Sequence, residues 1–271
     1  MGIYDRDYYR AQPARGGFGH FVAWSVTTWL IAINVLVFFG DAALKRVDRT
    51  PESMSLDDND SPASIAAARA EDAKPLTRWG SFSRNSAINH GQIWRFITFQ
   101  FLHADPWHLL VNMLGLFFFG PIVEAHFGSR RYLAFYLICG LAGAACFAIM
   151  VFMHVLNIHP DTQLVGASAG IFGLLVASAI IAPDVQVFYY LMPITIRMIA
   201  IFGMLLAAYT VLNTGNNAGG EAAHLGGGVL GFILMKNQHW LNAFAPRAAR
   251  STTVRRRPRR IQKDWSKDLN R

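Results

Sequence analysis

Residues 164–175 read LVGASAGIFGLL. The stretch carries no charge and is rich in small residues, as a membrane helix built for close packing would be. It also contains Gly166-Ala167-Ser168-Ala169-Gly170, which fits the G-x-S-x-G pattern around a nucleophilic serine. A lone serine in an apolar helix ordinarily bonds its own backbone. Which reading holds for Ser168 depends on what else the chain brings to the same depth.

The composition points to a membrane protein. Of 271 residues, 53% are hydrophobic and 15% charged, against about 25% charged in soluble domains. The net charge of +8 sits mostly in one tail. Cys139 and Cys146 are seven residues apart, about 10 Å along a helix and too far to pair, so they read as reduced packing residues. Residues 1–20 are polar and charged, without the short apolar core of a cleaved signal peptide. Arg6 stands where a myristoylation motif wants Ser or Thr.

Six apolar runs follow: Phe21–Phe39, Trp107–Val123, Tyr132–Met153, Ala167–Ala182, Met198–Leu212 and Ala222–Met235. The chain therefore divides into an N-terminal segment 1–20, a six-span unit 21–238 and a basic tail 239–271. Within the first loop, 48–72 holds seven acids against two arginines, the composition of a solvated, poorly ordered segment. The fifth run is preceded by VQVFYYLMPITIR, apolar but broken by Pro193. Lys and Arg lie in segment 1–20, in the 2–3 loop (Arg130, Arg131), at the end of the 4–5 loop (Arg197) and in the tail, and are absent from the 3–4 and 5–6 loops. The 1–2 loop holds eight, but it is longer than about 60 residues, where the positive-inside rule loses force. The positive-inside rule then puts both termini in the cytoplasm. RRRPRR at 255–260 reads as a juxtamembrane segment against anionic lipid. No aromatic interleaving supports nucleic acid binding.

That topology fixes depth. Spans 2, 4 and 6 all enter from the outer face. His108 and Asn112, spaced i, i+4, share one face of span 2. Ser168 lies one turn into span 4, and His224 stands near the start of span 6. Neutral histidine serves as base for a serine hydroxyl. The oxyanion of a tetrahedral intermediate needs preorganised donors, which His108, Asn112 and the Ser168 N–H can supply beside the positive end of span 4. Phe172, four residues after Ser168, is expected behind the His224 ring. Gly170 and Gly173 on span 4, with Gly227 and Gly231 on span 6, are expected to let the two helices approach. No Asp or Glu is expected to orient His224, so the arrangement reads as a dyad.

These residues resemble the rhomboid family of intramembrane serine proteases. The resemblance rests on Trp94-Arg95, on HADPWHLLVN with His103, His108 and Asn112, on GASAG around Ser168, and on AHLGGGVLG from Ala223 to Gly231. It covers roughly residues 20–236 and implies an all-α membrane protein, a rhomboid-like bundle of six transmembrane helices. It implies Ser168 as nucleophile, His224 as general base and acid, and His108 and Asn112 at the oxyanion. Gly166 would keep the backbone open beside them. Trp94 and Arg95 would belong to a first loop held by hydrogen bonds, His103 would support the network, and Glu124 would be structural. The implied substrates are membrane proteins with a helix that unwinds near the outer face, without metal or other cofactor. Three departures stand out: Ala169-Gly170 replaces the commoner Gly-Ala, Phe172 replaces the Tyr of some members, and the acidic stretch 48–72 is an extra insertion in the first loop.

Rival readings fare less well. An α/β-hydrolase would pair Ser168 with Asp184 and His224, but Asp184 is sixteen residues on, about 24 Å down the same helix. Glu221-x-x-His224 is a single ExxH without the further inward glutamates of a di-iron bundle, and HExxH is absent. A silent rhomboid-like chaperone or adaptor would use the same fold without the chemistry. The missing transit-type leader favours a bacterial plasma membrane.

Overall fold

Helices of 14 to 24 residues carry the fold: α1 (Val26–Ala43), α4 (Pro106–Phe127), α5 (Ser129–Phe152), α6 (Ser168–Ile181), α7 (Ile196–Leu212) and α8 (Ala218–Lys236). Two short helices, α2 (Pro75–Gly80) and α3 (Arg95–Thr98), lie in the connection between α1 and α4. The computed structural model describes residues 24–44, 74–156, 158–189, 192–213 and 217–246. Segment 1–20, the acidic stretch 48–72 and the tail beyond 246 lie outside the described residues.

By length and composition, α1, α4 and α5 are long and apolar enough to cross a membrane. α6 and α7 are apolar but shorter, at 14 and 17 residues. α6 would rise only about 21 Å, short of a hydrocarbon core of about 30 Å. It is walled by its neighbours instead, with Leu174, Ala177 and Ser178 fully buried. Ser178 Oγ donates to the Phe119 carbonyl of α4 at 3.3 Å, which satisfies the hydroxyl inside an apolar environment.

Local sequence sets the helix ends. Asp105 caps α4 by accepting from His108 N–H at 2.8 Å, with Pro106 in the first turn, a pairing that suits proline's missing donor. Gly128, with φ 74°, is the single residue between α4 and α5. Glu124, one turn earlier, accepts from Val26 N–H (2.8 Å), Thr27 N–H (3.0 Å), Thr27 Oγ1 (2.8 Å) and Ser129 Oγ (3.0 Å). It thereby caps α1 from another helix. Asp41, buried in the last turn of α1, does the same for α2 through Leu76 N–H, Thr77 N–H and Thr77 Oγ1 at 2.7, 3.1 and 2.6 Å.

The connection 74–105 is held by its backbone carbonyls. The Arg95 guanidinium donates to the Ser81 and Arg78 carbonyls and its Nε to Gln92 Oε1. Trp94 stacks on Trp79 (centroids 5.6 Å, 18° between planes) and donates Nε1–H to the Trp79 carbonyl at 3.3 Å. Phe82 and Leu164 form a two-way bridge, N···O 3.0 and 2.7 Å. That bridge fastens the segment entering α6 to the first loop. A core of Phe82, Phe99, Phe147, Leu164, Ala169, Ala222 and Ala223 lies beneath it.

The proline-broken stretch 185–197 contains two paired strands. Strand β1 (Gln186–Tyr189) pairs antiparallel with β2 (Met192–Thr195), with Pro193 opposite Phe188. Proline is tolerated in a two-stranded ribbon, where its missing donor can face outward.

The approach of α6 to α8 differs from expectation at one residue. Gly170 faces α5: a Cβ there would sit 2.6 Å from Cε2 of the Tyr136 ring. Two residues after Ser168 is about 200° around the helix, so Gly170 points away from α8. Ala169 takes the contact, its carbonyl lying in the notch left by Gly227. Further along, Gly231 meets Gly173, and a Cβ on Gly231 would be 2.7 Å from the Gly173 Cα.

Candidate active site

Ser168 is the first residue of α6, so its N–H and the next two have no partner one turn back within the helix. The chain reaches it through Gly166, whose φ of 128° is closed to most side chains and whose N–H donates to the Phe99 carbonyl at 3.0 Å. His224 lies one and a half turns into α8. Its Nε2 is 2.8 Å from Ser168 Oγ. The backbone contact between Ala169 and Gly227 brings the two helices close enough for this bond. The methyl of Ala169 faces Gly143 of α5, where a Cβ would collide with both it and the Ala223 carbonyl. The Ala169-Gly170 order is thus matched by a missing side chain on α5.

Phe172, one turn beyond Ser168, stacks on the imidazole of His224 with centroids 4.2 Å apart and planes 6° apart. The ring fixes one face of the histidine. His224 Nδ1 is 2.9 Å from Glu221 Oε2. This corrects the expectation that no carboxylate orients His224. Glu221 and His224 are spaced i, i+3, which places them on one face of α8. The ExxH spacing shows in the sequence, although there it reads only as half of a metal motif.

His108 also lies beside Gly166 and Ser168. A Cβ on Gly166 would lie 2.8 Å from His108 Nε2 and 3.5 Å from Ser168 Oγ. A side chain on Gly166 would therefore collide with the His108 imidazole, and the bare Cα permits the close approach of His108 and Ser168. Ala104 N–H approaches His108 Nδ1 at 3.5 Å, which favours hydrogen on Nε2, the nitrogen beside Gly166. Asn112 is buried on the same helix face and donates Nδ2–H to the His108 carbonyl at 2.7 Å. One amide hydrogen is thus committed within α4, and the side chain buttresses the turn that carries His108.

His103 is 3% exposed, and neither ring nitrogen has a hydrogen-bond partner among the described residues. Its ring meets His108 edge to face, centroids 5.2 Å apart. Burial pushes His103 down to about 3, helped by the neighbouring His108. Trp94 and Arg95 are tied to the first loop, and Glu124 to the far end of α4. Gly231 serves the helix contact beyond His224.

The Rhomboid domain family matches residues 90–238, more than half of the chain. Rhomboid protease GluP of Bacillus subtilis is 32% identical over 149 residues, which cover 55% of this chain and 27% of that protein. Rhomboid protease AarA of Providencia stuartii is 27% identical over 164 residues, 53% of this chain and 55% of that one. Inactive RHOMBOID-like protein 8 of Arabidopsis thaliana is 29% identical over 103 residues, 38% of this chain and 27% of that one. The chain thus spans about half of AarA and roughly a quarter of the other two.

Proposed function

The chain belongs to the rhomboid family, and from that premise we propose that it is an intramembrane serine endopeptidase. In this reading α1, α4, α5, α6, α7 and α8 are six spans of a bacterial plasma membrane. Segments 1–20 and 239–271 face the cytoplasm, and Ser168 opens to the outer face. The observation that carries the reading is the 2.8 Å contact of Ser168 Oγ with His224 Nε2. In this reading the substrate carbonyl oxygen sits beside Gly166, between His108 and Ser168.

His224 takes the Ser168 proton as Oγ bonds to the scissile carbonyl carbon. The oxyanion faces His108 Nε2–H and the Ser168 N–H at the positive end of α6, with Asn112 holding His108 in place. The histidine returns its proton to the leaving amine, the C–N bond breaks, and water releases the acyl group. The substrates are membrane proteins whose transmembrane helix unwinds near the outer face, so that an extended strand can reach Ser168. Neither metal nor other cofactor enters these steps.

The alternative, a catalytically silent chaperone or adaptor, keeps the fold and needs none of these contacts. The likeness to an inactive relative keeps that reading open to test. The test is cleavage of single-span peptides by the full chain in liposomes. Wild type cuts and Ser168→Ala does not. Cutting that survives Ser168→Ala, or no cutting of any member of a broad peptide set, overturns the proposal.

A further inference from the structure

The Glu221 carboxylate stands 2.9 Å from His224 Nδ1, on the side of the ring away from Ser168. Both side chains are largely enclosed, with relative exposures of 15% for His224 and 22% for Glu221. We propose that Glu221 is a positioning residue for His224, completing a Ser168–His224–Glu221 relay. This rests on the protease reading given above.

The proton inventory supports the assignment. A carboxylate has no hydrogen to give, so the bond to Glu221 requires hydrogen on Nδ1. A neutral imidazole then carries a lone pair on Nε2, so the bond to Ser168 runs from Oγ–H to Nε2. The pair Glu221–His224 thus selects the one tautomer able to act as base. When Oγ bonds to the carbonyl carbon, its proton passes to Nε2 and the ring becomes a cation. Nδ1–H stays with its nitrogen and Glu221 faces the new positive charge. When Nε2 returns the proton to the leaving amine, the ring is neutral again and Glu221 is unchanged. The carboxylate acts through the histidine and never bonds substrate.

The placement of the neighbours is consistent with that role. Phe172 blocks one face of the ring, so rotation about the Cβ–Cγ bond is resisted by stacking while Glu221 fixes the in-plane direction. Glu221 is also an acid in the first turn of α8, where the helix dipole favours negative charge. A purely helix-capping role would need the charge but not the histidine contact.

The test uses the full chain in detergent and a fluorophosphonate probe, which phosphonylates an activated serine. The limiting labelling rate is separated from the apparent affinity, and thermal unfolding is recorded for each variant. Glu221→Gln is nearly isosteric, but its amide can donate to Nδ1 and select the wrong tautomer. We expect its limiting rate to fall about 10²- to 10⁴-fold, as far as Glu221→Ala, with unchanged apparent affinity and unfolding temperature. Glu221→Asp keeps the charge and recovers at least tenfold over Gln. A wild-type limiting rate in Glu221→Gln overturns the relay, even if Glu221→Ala is damaged through folding. Absent labelling of wild type, or labelling that survives Ser168→Ala, instead overturns the protease reading and the relay with it.

Discussion

The ring of Phe172 lies parallel to the imidazole of His224, 4.2 Å between centroids and 6° between planes. One residue per turn of α6 thus does two things: Ser168 meets the edge of the histidine and Phe172 covers its face. An aromatic pair of this kind contributes about 0.5–1.5 kcal/mol beyond area burial. Phe172→Ala should free the ring and lower kcat about 2- to 12-fold, since each 1.4 kcal/mol is tenfold, with KM nearly unchanged. Phe172→Tyr should stay close to wild type. Equal kcat for Ala and Phe at this position would refute the role.

Gly227 is the second test of how the site is assembled. The carbonyl of Ala169 occupies the space its side chain would need, and that carbonyl is backbone that cannot swing aside. Gly227→Ala should therefore separate α6 from α8 and lower the unfolding temperature, with a cost of about 1–3 kcal/mol or more. Cleavage should fall with it, because the Ser168–His224 bond spans the same gap. Gly40→Ala is the control: nothing lies within 4 Å of its added Cβ, and alanine favours a helix. Unfolding of Gly227→Ala at the wild-type temperature would refute the close-packing account.

Much of this architecture is legible in the chain because apolar runs and helices coincide. The run Trp107–Val123 lies inside α4, and Ala167–Ala182 frames α6 with one residue to spare at either end. What escapes is angular or non-local. Gly170 and Gly173 look equivalent in a list of small residues, yet two and five steps from Ser168 point to different neighbours. Asp41 and Glu124 cap helices distant in sequence, which no local pattern announces. The strand pair 186–189 and 192–195 hides in an apolar stretch because each strand is four residues long and, among the described residues, pairs with the other alone. Glu221 was within reach, since i, i+3 spacing alone puts it beside His224.

Glu124 offers a test at the other end of α4. Its two oxygens hold four donors drawn from Val26, Thr27 and Ser129. Glutamine has one acceptor oxygen and would turn an NH2 towards the remaining donors. Glu124→Gln should cost about 2–3 kcal/mol through unsatisfied amides and the lost charge. The site should be spared, because residue 124 is sixteen residues from His108, about 24 Å along the helix. The expected result is a lower unfolding temperature in detergent with unchanged kcat at temperatures where the fold persists. A large loss of kcat without loss of stability would show that Glu124 couples to the chemistry.

His103 gives a prediction on pH. In the folded protein it is pushed from 6.5 down to about 3, chiefly by burial. The unfolded chain takes up a proton near pH 6.5 that the folded chain refuses. The stability owed to neutral His103 is therefore complete above pH 6.5 and is lost as pH falls from there toward 3. Its slope is at most about 1.4 kcal/mol per pH unit for one proton. His103→Leu fills similar space and cannot titrate, so its stability should fall less steeply with acid than that of wild type. Unfolding measured between pH 8 and pH 4 for both proteins decides the point. Parallel curves would mean that His103 takes up its proton in the folded state as readily as in the unfolded one.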